Sequence, residues 1–296
     1  VVSLLLQGME SKSYINFNGN IFEAGEPAVS SSNRAFRYGD ALFETIRLMN
    51  GEILYLEKHL ARLAGGMKYL GMNEHADLNF HNLYLMIRHL DQVNQLKGNG
   101  RIRLQVFRND GGFYRPFTNE VSYLVEAEPL VLKRYTLNEK GLRMDVFGEV
   151  KKPHEYLSGL KTSSALTYVL AQLYRKRNFL DDCFLLNASG RIAEAISSNV
   201  FVLQNGVLKS PPASEGGVQG IMRDVVMEMC RESMQIQVRE HQLTAEELLG
   251  ADEIFLTDVI NGIRWVGAFR QKRYFNNFSR QLLDELVSME ERKHSA

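Results

Sequence analysis

Apolar and polar positions change period several times along the chain. Tyr14-Ile15-Asn16-Phe17 runs into Asn18-Gly19-Asn20 and then Ile21-Phe22, which predicts a β-hairpin. Ala41–Arg47 and Ile53-Leu54-Tyr55 flank Asn50-Gly51 and predict a second. The period then lengthens: Leu56, Leu60, Leu63, Met67 and Leu70 recur at spacings of four and three, an amphipathic helix stopping near Gly71. A second helix is expected over 82–95, then strands Arg101–Phe107 and Val121–Glu126 around the loop Asn109-Asp110-Gly111-Gly112. Residues 127–140 show no clean period, and 129–140 reads as a linker between a smaller N-terminal α/β domain (1–128) and a larger C-terminal one (141–296). There the pattern predicts strands Arg143–Phe147, Cys183–Leu186, Val200–Leu203 and Val207–Lys209, the last two joined by Asn205-Gly206. Helices are marked by Leu166, Val169, Leu170 and Leu173, by Ile221, Val225, Val226 and Met229, and by Leu282, Leu283, Leu286 and Val287. Thr244 with Glu247 is a capping box opening one more. Strand and helix mixing in both halves predicts two α/β or α+β domains, with a ligand expected in the cleft between them.

Composition narrows the function classes. The 296 residues, 45% of them apolar, suffice for two cored domains. Thirty-five lysines and arginines balance 35 acidic residues, so no global field draws in nucleic acid or an anionic membrane. No stretch approaches the ~18–20 apolar residues of a bilayer span. The run Val1–Leu6 lacks the basic flank and cleavage site of a signal peptide, and with Met9 close behind, residues 1–8 are set aside. Cys183 and Cys230 are expected to be buried free thiols of a reducing, cytoplasmic setting. The histidines show no metal-binding spacing, and no metal is expected.

Several segments carry candidate chemistry. Lys161 follows Gly159-Leu160 and precedes an apolar-faced helix; partial burial there would favour the free amine that condenses with a carbonyl. The plainer reading is a solvated surface lysine. Glu194 sits among small and apolar neighbours, where a carboxylate needs a cation, either a protonated pyridine nitrogen or an ordinary internal salt bridge. Ser214–Arg223 is a glycine-rich loop entering a helix at Gly220-Ile221, a ready anion site or simply a flexible loop. Thr257 ends an apolar run and offers a hydroxyl to the same anion, or merely caps a strand. Arg62 flanks its helix's apolar stripe, from which a guanidinium can reach a phosphate, or stay in solvent.

In this order the segments resemble the class IV (fold type IV) pyridoxal-phosphate enzymes, among them branched-chain and D-amino acid aminotransferases and aminodeoxychorismate lyases. The resemblance runs through Asn33–Arg47, His59–Leu63, Gly159-Leu160-Lys161, Gly190–Glu194, Ser197–Phe201, Gly220-Ile221 and Phe255-Leu256-Thr257. It implies a two-domain fold with pyridoxal 5'-phosphate between the domains. By the same resemblance Lys161 holds the cofactor and shuttles the proton, Glu194 partners the pyridine nitrogen, and Arg62, Gly220, Ile221 and Thr257 bind the phosphate. Tyr38 lines the substrate side, and Arg103 best matches the branched-chain pattern for the substrate carboxylate, with Arg101, Arg108 and Arg115 as alternatives. Met222 replaces a common threonine, and Leu166 replaces a tyrosine frequent in branched-chain enzymes. The resemblance implies transamination between an amino acid and a 2-oxo acid, in a homodimer whose 109–115 loop borders the partner's site. Pyruvate-releasing elimination of the aminodeoxychorismate lyase type is the alternative, and a cofactor-binding protein without catalysis a third. The motifs leave the donor and its L or D hand open.

Overall fold

The computed structural model describes residues 12–25 and 29–295, so residues 1–8 lie outside it. Its contacts divide the chain into Val1–Lys133 and Arg134–Ala296, a division that falls inside 129–140.

The first unit is an antiparallel sheet backed by helices. Its elements are β1 (Tyr14–Phe17), β2 (Asn20–Glu23), α1 (Arg34–Tyr38), β3 (Ala41–Met49), β4 (Glu52–Ile53), α2 (Leu56–Tyr69), α3 (Phe80–Val93), β5 (Gly100–Arg108) and β6 (Val121–Pro129). The strand order is β2-β1-β6-β5-β3-β4. Both hairpins form where the Asn-Gly turns place them: Phe17 faces Asn20, and Met49 faces Glu52. Ile102, Leu104 and Val106 of β5 and Val121, Tyr123 and Val125 of β6 are buried in alternation, and Leu63 and Met67 of α2 and Leu83, Ile87 and Leu90 of α3 are buried too. Each such buried side chain contributes about 1.5–3 kcal/mol. Helix α3 starts two residues before the predicted 82 because Asn79 caps it, its Oδ1 accepting from the Asn82 amide at 3.0 Å.

The second unit holds a mixed nine-stranded sheet. Its elements are β7 (Leu142–Lys152), α4 (Tyr156–Gly159), α5 (Leu166–Arg177), β8 (Asp182–Asn187), β9 (Ile192–Ala195), β10 (Asn199–Gln204), β11 (Val207–Ser210), a 3₁₀ turn (Ala213–Glu215), α6 (Ile221–Glu232), β12 (Gln237–Glu240), α7 (Ala245–Leu249), β13 (Glu253–Asp258), β14 (Gly262–Phe269), β15 (Lys272–Arg273) and α8 (Asn277–Ser295). The order is β12-β11-β10-β13-β14-β7-β8-β9, with β15 on β14. The Thr244–Glu247 capping box closes reciprocally. Cys183 and Cys230 are free and buried, their thiols pushed up to about 12 by that burial. Among the described residues no helix is long and apolar enough to cross a membrane.

One helix turns the wrong way for its apolar stripe. The period correctly marks α5, yet Leu166, Val169, Leu170 and Leu173 face solvent. Ala171, Tyr168 and Tyr174 instead pack toward Phe147, Cys183 and Leu185.

Candidate active site

Three adjacent strands assemble a buried charge cluster. Glu194 lies on β9, whose Cα partner on β8 is Leu185. The parallel β7–β8 ladder slips between Phe147 and Lys152, and Lys152 ends the strand opposite Asn187. Lys152 and Glu194 form an ion pair with side chains only 6% and 5% exposed. Tyr168 of α5 completes it: its hydroxyl donates to Glu194 Oε1 at 2.7 Å and accepts from Lys152 Nζ at 2.7 Å. Burial first, then the charge of Glu194, pushes this phenol far up, so it stays protonated as a donor. The other carboxylate oxygen, Oε2, accepts from the Val218 amide at 2.9 Å. Of the two cations the sequence leaves open for Glu194, the internal salt bridge is present.

Val218 links this carboxylate to an anion cradle. Its carbonyl accepts from Asn199 Nδ2 at 2.7 Å. Asn199 on β10 is the ladder partner of Thr257 on β13 and also packs against Gly220, where an added Cβ would strike Asn199 Oδ1. Gly220 is the N-cap of α6 and supplies no side-chain cap to it. Thr257 is 1% exposed, and among the described residues its buried Oγ1 has no hydrogen-bond partner. An uncapped helix start beside an orphaned hydroxyl is a donor set for an anion. Met222 is fully buried, so its side chain adds nothing to that set.

A second pair of loops fixes this frame. Buried Glu215 takes Arg191 Nε at 2.5 Å and Nη2 at 2.9 Å, and Asn187 Nδ2 at 2.7 Å. Burial pushes Glu215 up, but these donors outweigh it and hold its carboxyl below the ordinary range. The clamp brings Gly217 so close to β9 that a Cβ there would lie 2.6 Å from Ala193 O. Lys161 is half-buried on the segment joining α4 to α5. Its approach borders the cluster: Ser158 O accepts from Lys152 Nζ at 3.4 Å, and a Cβ on Gly159 would lie 3.6 Å from Gly217 O.

In the first unit, Arg62 turns inward onto buried Glu44, Nε to Oε1 at 2.9 Å and Nη2 to Oε2 at 2.5 Å, while His59 Nδ1 meets Oε2 at 2.6 Å. Burial pushes Glu44 up, but Arg62 and His59 together hold it below its ordinary 4.5. A depressed carboxylate adds stability above its unfolded pKa and loses it as pH falls through the folded value. Thermal unfolding of Glu44→Gln is therefore expected to lie below wild type at neutral pH, with the gap closing as pH falls below 4.5. A gap constant with pH would count against the pairing. Tyr38 packs near Tyr114, ring centroids 5.7 Å apart, with the Arg34 guanidinium 5.0 Å from its ring. Arg103 donates to Gln105 at 2.8 Å and lies 4.0 Å over the Phe43 ring, Arg101 pairs with Glu128, and Arg115 is exposed. Arg108 is taken up by Asp40, Asn119 and the carbonyls of Leu70 and Gly71.

A family model described as amino-transferase class IV matches residues 41–269. The chain belongs to the class IV amino-transferases. A provisionally assigned branched-chain-amino-acid aminotransferase of Methanocaldococcus jannaschii is 31% identical over 246 residues, 82% of this chain and 83% of that protein. An aminodeoxychorismate lyase of Bacillus subtilis is 26% identical, covering 83% of each. In fold, the chain matches the branched-chain aminotransferase of Thermoproteus uzoniensis with a TM-score of 0.83, 92% of this chain and 93% of that one, at 23% identity. This class IV aminotransferase thus has the two-domain fold type IV architecture, and it is an enzyme.

Two residues of its central cluster escape sequence reasoning. Lys152 is 42 positions from Glu194, and only the β7–β8–β9 ladder brings them together. Tyr168 is signalled only by being the phenol two residues beyond Leu166, where the family often has one.

Proposed function

We propose that the chain uses pyridoxal 5'-phosphate to transfer an amino group between an amino acid and a 2-oxo acid. One observation carries the cofactor reading: the partnerless Thr257 hydroxyl and the uncapped start of α6 are tied through Asn199 and Val218 to the buried carboxylate of Glu194. That places hydrogen-bond donors for the anionic end of a ligand and an acceptor for a protonated nitrogen at its other end. Gly220, Ile221 and Thr257 would hold the phosphate, with Arg62 as a further guanidinium for it, and Glu194 would face the ring nitrogen. When bound, the cofactor supplies an aldehyde for the amino group and a ring that accepts the electrons released at the substrate Cα. Lys161 carries the cofactor and moves the proton at that Cα. Tyr38 and Arg103 would orient the substrate, Arg103 by gripping a carboxylate.

Elimination releasing pyruvate stays as the second reading, because the Bacillus subtilis relative is a lyase and the same lysine and carboxylate would serve it. A panel of L- and D-amino donors with several 2-oxo acids, followed by absorbance, with pyruvate assayed without acceptor, separates them. Acceptor-dependent amino transfer is expected. Pyruvate release without acceptor would select the lyase, and silence with every donor would leave only cofactor binding.

We further propose a cytoplasmic homodimer. The apolar stripe Leu166, Val169, Leu170 and Leu173 and the exposed aromatics Phe113, Tyr114 and Phe117 support an interface between copies. Sedimentation is expected to give a dimer, and Leu170→Glu with Leu173→Glu to dissociate it. A wild-type monomer would refute the assembly.

A further inference from the structure

The Glu194 cluster holds one more cation than the proposed chemistry requires. A carboxylate that only waited for a ring nitrogen would lie open to solvent until the ligand arrived. Here it is 5% exposed and already matched by Lys152, with Tyr168 bridging the two. The pairing is uneven between its oxygens. Among the described residues Oε1 receives both Lys152 and Tyr168, whereas Oε2 receives the Val218 amide alone. An ionised carboxylate offers about four lone-pair sites, so the open capacity lies on the Oε2 side.

We propose that Lys152 is the standing counter-ion of Glu194, a positioning residue that fixes Oε1 with Tyr168 and presents Oε2 to the cofactor's ring nitrogen. This rests on the function proposed above. Lys152 would then keep the buried carboxylate charged and aligned in the cofactor-free chain, so that ligand arrival requires no rearrangement of that side chain. With the ring bound, two cations share one carboxylate, and the ammonium moderates the hold on the ring proton. The titratable side chains bonded to Glu194 are Lys152 from β7 and Tyr168 from α5. Arg191 and Glu215 lie beyond them as their own pair, Glu215 also feels His154, and Lys161 lies on the α4–α5 segment.

The test compares full-length wild type with Lys152→Met, freed of cofactor, in thermal unfolding from pH 8 to pH 5, and then with saturating pyridoxal phosphate. At pH 8 the variant is expected to unfold about 10 °C lower, since removing one partner strands a buried charge. That deficit should shrink toward pH 5, because a carboxylate without its cation takes up a proton more readily. Pyridoxal phosphate should raise the midpoint more in the variant than in wild type, the ring proton replacing the missing ammonium. His154 and Glu215 are the same in both proteins, so their contribution is common to the two curves. A deficit equal at every pH, with a wild-type response to cofactor, would reduce Lys152 to packing and overturn the proposal. If Lys152→Met does not fold, Lys152→Met with Glu194→Gln decides: recovery of folding at pH 8 supports the pairing, and equal failure overturns it. Wild-type protein that takes up no pyridoxal phosphate would overturn the proposed function instead, and the pH comparison would still decide whether Lys152 is the counter-ion.

Discussion

Lys161→Ala is expected to abolish amino transfer while leaving the chain folded. The residue is half-buried on the segment between α4 and α5, outside the core clusters built around Phe184 and around Phe147. Truncating it takes no side chain from either of those clusters, so the unfolding midpoint should move little. Activity should fall by about 10³-fold or more, because the proton at the substrate Cα loses its carrier and the cofactor its attachment. Lys152 is the competing amine, but its ammonium is held by Glu194 and Tyr168. Borohydride reduction followed by peptide mass mapping separates the two. Cofactor mass is expected on Lys161 in wild type and on no lysine in the variant. Retention on Lys152, or unchanged turnover, would remove Lys161 from the centre of the mechanism.

What the sequence revealed follows from the range of the interactions involved. The hairpins at Asn18-Gly19 and Asn50-Gly51, the helix from Leu56 and the Thr244–Glu247 box are all set by neighbours within a few residues, and all are found. The uncapped α6 start at Gly220 was legible for the same reason. The Lys152–Glu194 pair was not, because it depends on a parallel ladder and on the register shift that separates Phe147 from Lys152. Periodicity shows that α5 has two faces but not which one its own core claims. Tyr168, Ala171 and Tyr174 win because they reach Phe147 and Cys183, which leaves the aliphatic stripe outside. Strand β14 is not among the elements the pattern predicts, and it contains Gly267. In the sheet that glycine lets the backbone approach Gly141 so closely that a Cβ would lie 2.8 Å from Gly141 Cα.

Glu194→Gln is the second large effect, and it should separate two roles of one side chain. Both carboxylate oxygens are acceptors here, Oε1 from Lys152 and Tyr168 and Oε2 from Val218. An amide has one acceptor and one donor, so one of these sets must face an N–H. Lys152 also loses its counter-charge inside the protein, a loss that typically costs about 3–5 kcal/mol. For a unit of this size the midpoint should fall by roughly 10 °C, with or without cofactor present. Catalysis should fall further than stability explains, by about 10²-fold or more at temperatures where the variant is fully folded, since nothing then holds the ring proton. Adding Lys152→Met removes the stranded ammonium and should return most of the midpoint without returning turnover. If Glu194→Gln unfolds with wild type, the buried pair is not what balances this corner of the sheet. If it keeps full turnover while folded, the ring nitrogen has another partner.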